Sequence, residues 1–314
     1  MKHTGLLLLL PMLGACAQVL GIEDTKLEPA PVAKKHKPQA DDDIVMEAGP
    51  PPSPGEDYRC IGSDWLEAAS GNRIEIIARI IEIESAGAPN PTPVEGMTVT
   101  VCKSRLDIGC KGGSAVQSDA LGLARVQVDK GFNGYLRIEG PDANGTERVG
   151  YLWYFSQPLT NTYVFPILAM TPEFRSDVIY GAALGSKIEW DPERGEIAIN
   201  VTDCSEPDPP TQDVEGEQVA NAPGQNAPGV HFSITDEDLF DAETRAFYFS
   251  KGNPVWPKRA ADQVTDEGGL GGFLKIPTGP IPIEAVPSSL GQASAEDTLL
   301  VRANFLTTVR LLPE

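Results

Sequence analysis

From Arg73 to Glu84 the chain reads RIEIIARIIEIE, with Ile74, Ile76, Ala78 and Ile80 in alternation. A helix would align Ile74, Ile77, Ala78 and Ile81 equally well. Branched side chains pack best on a pleated surface, however, and favour a strand whose phase change near Ile81 predicts a bulge. Next, Met97, Val99 and Val101 alternate with Thr98, Thr100 and Cys102, the pattern of a half-buried strand. Ser118-Asp119-Ala120-Leu121-Gly122 then supplies a turn, because Asp bonds the backbone that follows it and Gly accepts positive φ. Ala124, Val126 and Val128 resume the alternation, and Tyr135 to Ile138 follow after Gly131 and Gly134.

The same order recurs. Ile197, Ile199 and Val201 alternate, Ala227-Pro228-Gly229-Val230 leads into Phe232 and Ile234, and Thr265-Asp266-Glu267-Gly268-Gly269 precedes Phe273 to Ile276. Gly279 then precedes Ile281, Ile283 and Ala285. Asp119 to Gly122 and Asp266 to Gly269 share one interval, while extra residues in the second unit, including Arg245 to Phe249, read as another strand. GGLGGF at 268–273 has no helix after it and no Lys-Ser/Thr, so it reads as a hairpin or bulge and not a phosphate loop. Short strands with frequent turns predict an all-β fold of two tandem β-sandwiches. Tyr151 to Phe155 is apolar on both faces, as a buried strand or a domain contact would be. Between the units, Thr171-Pro172-Glu173 has the cap, first-position proline and acidic first turn of a short helix. Phe174, Val178 and Ala182 lie along one face and Gly185 closes it, as a helix would that packs where the sandwiches meet or covers one of them.

Composition narrows the function classes. A chain of 314 residues suits two domains, and its 31 Gly and 28 Pro disfavour an all-α architecture. The formal charge of -20, with no basic patch of any length, repels nucleic acid phosphates and excludes nucleic acid as a partner. Three histidines, at positions 3, 36 and 231, leave little for His-dependent catalysis or metal binding.

At the N-terminus, Lys2 and His3 precede an apolar run from Leu6 to Leu13 and the small residues Gly14-Ala15, the layout of an exported precursor. The run is too short to span a bilayer. Leu13-Gly14-Ala15-Cys16 resembles the lipobox of bacterial lipoproteins, which implies a signal peptide over 1–15 and a lipid on Cys16. Ala17 rather than Asp then implies the outer membrane. Residues 16–56 carry seven prolines, Lys34-Lys35-His36-Lys37 and Asp41-Asp42-Asp43 without apolar periodicity, and read as a disordered tether.

The repeated Pro-x-x-Gly or Pro-Gly before an apolar strand, with Ser/Thr-Asp-x-x-Gly before the next, resembles the carboxypeptidase regulatory-like, or transthyretin-like, β-sandwich. The whole chain resembles two-unit lipoproteins of myxobacteria. On that resemblance residues 57–170 form the first sandwich, residues 171–314 hold the linking helix and the second, and no activity is implied.

Four cysteines besides Cys16 form an even set in an exported chain, which favours disulfides over metal. Cys102 and Cys110 flank the polar loop KSRLDIG and are expected to pair, and Cys60 with Cys204, a pairing the sequence leaves open, would tie the first unit to the second. No Cys-x-x-Cys spacing supports zinc. Alternation turns His231 away from the core filled by Val230, Phe232 and Ile234, toward solvent. No Gly-x-Ser-x-Gly elbow accompanies it. Asp203, Asp208, Asp213, Asp236 and Asp238 lack the calcium-loop pattern. Trp256, between Pro254 and Pro257, is the candidate for an exposed ligand contact with a sugar ring. The sequence therefore reads as a non-catalytic, cofactor-free lipoprotein, a scaffold for an envelope protein or, alternatively, a polysaccharide-binding module.

Overall fold

The computed structural model describes residues 57–58, 72–83, 91–155, 157–176, 189–205, 211–212, 218–219, 224–239, 243–250, 253–255 and 264–312. Cys16, the tether, Cys60 and Trp256 lie outside them. The fold is all-β. The first unit holds β1 (Arg73–Glu82), β2 (Thr98–Cys102), β3 (Ala115–Gln117), β4 (Leu123–Asp129), β5 (Tyr135–Glu139), β6 (Gly150–Phe155) and β7 (Tyr163–Ala169). The second holds β8 (Gly195–Val201), a small pair β9 (Thr211–Gln212) and β10 (Gln218–Val219), β11 (Val230–Ile234), β12 (Arg245–Ser250), β13 (Asn253–Val255), β14 (Leu270–Ile276), β15 (Gly279–Pro287), β16 (Ala295–Val301) and β17 (Phe305–Leu311).

The internal repeat is a repeat of topology. β1 lies between antiparallel β4 and parallel β7, and β8 lies between antiparallel β14 and parallel β17. The antiparallel run β2-β5-β6 corresponds to β11-β15-β16. The two Asp turns share two bonds. Asp119 Oδ1 accepts from Leu121 N and Asp266 Oδ1 from Gly268 N, while Gly122 N and Gly269 N each donate to the carbonyl of their own Asp. Gly122 (φ 75°) and Gly269 (φ 60°) lie in the left-handed region. A Cβ on them would meet Ile80 O at 2.3 Å and Val201 O at 2.5 Å, so glycine is required twice over. The preceding hydroxyls also match. Ser118 Oγ donates to Val94 O and accepts from Met97 N, and Thr265 Oγ1 donates to Ala227 O and accepts from Val230 N.

What the repeat alone does not foretell is how the units join. β17 pairs in parallel with β8 on one side and with β6 of the first unit on the other, from Phe305↔Gly150 to Arg310↔Phe155. The edge of each unit's sheet thereby satisfies the other's unpaired N–H and C=O groups. A nine-stranded sheet results, ordered β13-β12-β14-β8-β17-β6-β5-β2-β3. Its two faces are covered at different halves. The sheet β4-β1-β7 shares a core with Val99, Leu136, Ile138, Tyr151 and Phe155. The sheet β11-β15-β16 shares one with Leu152, Tyr154, Ile197, Ile199 and Val309. Because successive side chains point to opposite faces, β6 contributes Tyr151 and Phe155 to one core and Leu152 and Tyr154 to the other, as its apolar pattern on both faces requires.

Local expectations hold at most points and fail at others. The strand at 245–249 is present, while GGLGGF forms the end of the Asp266 turn and the start of β14, not a hairpin. β14 carries a register shift between Phe273 and Ile276, where Lys275 adopts φ 54°. No bulge occurs near Ile81, because β1 pairs with β7 without a break from Ile76 to Glu82. Ile77, Ile80 and Ile81 are all buried, so the phase change reflects a strand covered on both faces there. The polar side of β2 is likewise more enclosed than its alternation suggests, with Thr100 and Cys102 both buried. The linking helix α1 (Pro172–Phe174) starts as read, Phe174 N donating to Thr171 Oγ1 at 3.1 Å. Val178, Ala182 and Gly185 lie outside the described residues.

Candidate functional site

At its Phe155 end the seam between β6 and β17 is crossed by an ion pair, and at its Gly150 end a second ion pair, between the linker and β8, lies beside it on the opposite face of the sheet. At the Gly150 end, the chain leaving β7 places Arg175 against Glu196 of β8, Nε and Nη2 donating to Oε1 at 3.0 and 2.8 Å. Nη1 donates to Asn304 Oδ1 at 3.1 Å, and the guanidinium lies 5.2 Å from the Trp190 ring centroid. Glu196 shares its row with Leu306 and Tyr151, on the side covered by β4-β1-β7. The Arg175 and Glu196 side chains are only 1% and 5% exposed.

At the Phe155 end, Cys102 and Cys110 are joined by a disulfide, as the spacing led us to expect. The loop they close reaches across to the second unit. Arg105 Nη2 bonds Asp297 Oδ2 of β16, while Nη1 donates to Asn133 Oδ1 and Phe155 O, each at 2.7 Å. The Tyr154 hydroxyl donates to Arg105 O at 2.6 Å and accepts from Leu300 N at 3.1 Å, so one phenol bridges the loop and β16. Tyr135 stacks on Tyr154 with centroids 4.9 Å apart and donates to Asp107 O. Burial pushes the Tyr154 phenol well above its ordinary range. Burial likewise holds the Asp297 carboxyl above its ordinary value, against the opposing charge and hydrogen bond of Arg105. Cys102, Tyr135, Tyr154, Val309 and Ile199 form one cross-strand row, all within one core.

Other polar clusters brace loops. Asp142 accepts from Asn144 N, Thr146 N and Arg148. Burial alone would raise its pKa, but these bonds outweigh it and hold the carboxyl below its ordinary value. A cleft of about 310 Å³ beside it is lined by Glu95, Thr98, Gln117 and Ser118, the last already committed to the turn. Asp203, buried, accepts from Asp57 N, Ser205 N, Ser205 Oγ and Gln225 N, and therefore organises a loop with oxygens a calcium ion would need. His231 is half-buried, where solvent exposure was expected, because Tyr248 Oη lies 3.1 Å from its Nδ1. Burial pushes the Tyr248 phenol up to about 12. Among the described residues no group of three His, Cys, Asp or Glu side chains converges as a metal site would require.

Cys204 is disulfide-bonded to a cysteine outside the described residues, and its N–H donates to Asp57 O. Trp256 lies outside them as well, whereas Trp153 packs against Phe165 at 5.9 Å. Sequence reasoning found the disulfide and the aromatic strand. It missed Arg105, Arg175, Glu196 and Asp297, which belong to no local motif.

No family model matches the chain, and no curated protein matches it either. Solved structures that align include the TIE protein of Bacillus anthracis, at 11% identity over 77% of this chain and 34% of that one, with a TM-score of 0.20. The chain thus spans about a third of that protein. The minor pilin of Streptococcus agalactiae aligns at 12% identity over 77% of this chain and 96% of that one, with a TM-score of 0.22. A shaft pilin of Lactobacillus rhamnosus GG does so at 9% over 77% and 98%, with a TM-score of 0.24.

Proposed function

We propose that the chain is a non-catalytic, lipid-anchored scaffold of the bacterial outer membrane, with its lipid on Cys16, residues 17–56 as spacer and the joined sandwiches as the head that engages an envelope protein. The observation that carries the reading is the β6–β17 seam with an ion pair at each end. It makes two sandwiches one stiff body, suited to holding a surface in a fixed place. Charged side chains that would otherwise serve chemistry are committed to bracing, among them Arg105, Arg148, Arg175, Asp142 and Asp203. Cys60 is the partner we assign to Cys204. The hydrogen bonds of Asp57 to Asp203 and Cys204 bring the chain in beside that cysteine, so the bridge would fix the foot of the spacer to the second unit.

The test is metabolic labelling with palmitate in a Gram-negative host, followed by fractionation. Wild type is expected to carry label and to sediment with outer membranes, and Cys16→Ser to carry none. Equal labelling of the two would sink the anchor.

A further inference from the structure

We infer that the disulfide loop between Cys102 and Cys110 is a second membrane contact, docking on a phospholipid surface through Leu106 and Ile108. This rests on the anchored reading above. Leu106 and Ile108 are 47% and 55% exposed, at the tip of a loop of nine residues including the bridging pair, and Lys103 and Lys111 flank them in the open. Side chains of this kind on a mobile loop would fold back. Here the backbone is held out by the disulfide, by Tyr135 and Tyr154 on Asp107 O and Arg105 O, and by Arg105 on Asp297. Apolar tips with flanking lysines suit the boundary between acyl chains and headgroups, where the tips leave water and the ammonium groups stay at the phosphates. The acid within the loop does not oppose this, because Asp107 turns its carboxylate back onto Gly109 N and Lys111 N at 3.0 and 2.8 Å.

Topology supplies the orientation. β2, β6, β17 and β8 run in the same direction, so Cys102, Phe155, Leu311 and Val201 end at one end of the nine-stranded sheet. Asp57, the first described residue, is bonded to Asp203 and Cys204 just beyond the end of β8. The chain that comes from Cys16 therefore enters at the same end as the loop. Val264 and Leu290, also exposed, lie there too, next to the turn at Thr265 and the Ser288–Gly229 bond. An anchor that pulls on Asp57 turns this end toward the bilayer. Glu267 is an exposed acid at the same end, which leaves the apolar pair as the main attraction and the lysines as the secondary one.

The full lipidated chain, wild type and Ile108→Trp, is reconstituted into phosphatidylethanolamine–phosphatidylglycerol vesicles with and without brominated acyl chains, floated on a gradient, and read by tryptophan emission. Both proteins are expected to float. The brominated lipid is expected to quench the variant at least twofold more than wild type. Hydrogen exchange across residues 103–111 is expected to slow on vesicles relative to detergent, and Leu106→Ser/Ile108→Ser is expected to abolish that protection. Flotation with quenching equal to wild type, and no protection, overturns the loop contact and leaves the anchor standing. A chain that stays at the bottom of the gradient overturns both.

Discussion

The two ion pairs beside the β6–β17 seam sit in different dielectric surroundings. Arg175 and Glu196 are 1% and 5% exposed, sealed beneath one face, whereas Arg105 and Asp297 are 21% and 10% exposed, at the rim of the other. A charge enclosed in protein has already lost its water, so removing its partner strands it, while a charge at the rim recovers solvent. The inner pair should therefore be the one the head cannot lose. The outer one costs less, and what it does is hold a loop in place.

The largest expected effect follows from that contrast. Arg175→Met should lower unfolding free energy by roughly 3 to 5 kcal/mol by leaving Glu196 buried and unpaired, and a second change, Glu196→Leu, should recover most of the loss. Arg105→Met should cost about 1 to 2 kcal/mol, since Asp297 can rehydrate. Urea unfolding of the four proteins checks this, and equal losses at the two arginines would break the comparison.

A smaller and sharper contrast lies in acid. Asp142 is held below the ordinary value of 3.8, so its stabilising effect is fully present above that pH and is lost as pH falls through the folded value. Asp297 is held above 3.8, so its contribution is fully present below that pH and is lost as pH rises through the folded value. Melting temperatures between pH 3 and 7 should therefore show the gap between wild type and Asp142→Asn narrowing in acid. The gap for Asp297→Asn should change in the opposite sense. Parallel profiles for the two variants would mean that their surroundings do not differ as described.

What the sequence made legible was local. The Asp119 and Asp266 turns, the alternation in β2, β8 and β11, the capped start at Thr171 and the Cys102–Cys110 bridge each depend on residues a few positions apart. The same physics acts twice, which is why the repeat could be read without any chemistry attached to it. The seam was not legible, because Phe305-Leu306-Thr307-Thr308-Val309 names no partner, and two strands 150 residues apart in sequence meet through backbone groups that every residue has. The double-sided burial of Tyr151 to Phe155 was the one trace of it, compatible with a buried strand or a domain contact, and both are true. Ile81 misled for a related reason, since a strand covered on both faces imitates a change of phase. Arg105 and Arg175 were silent because each ion pair is set by where a connecting segment arrives against a strand that local sequence does not name.

The central claim is that two sandwiches are one body through β17. Native-state hydrogen exchange by mass spectrometry along a urea series tests it directly, with peptides over β4 in the first unit, β14 in the second, and β6, β8 and β17 at the seam. The expected result is one opening free energy and one urea dependence for all five. If the first unit opens at lower urea while β8, β14 and β17 stay protected, the seam does not couple the halves and the account is wrong.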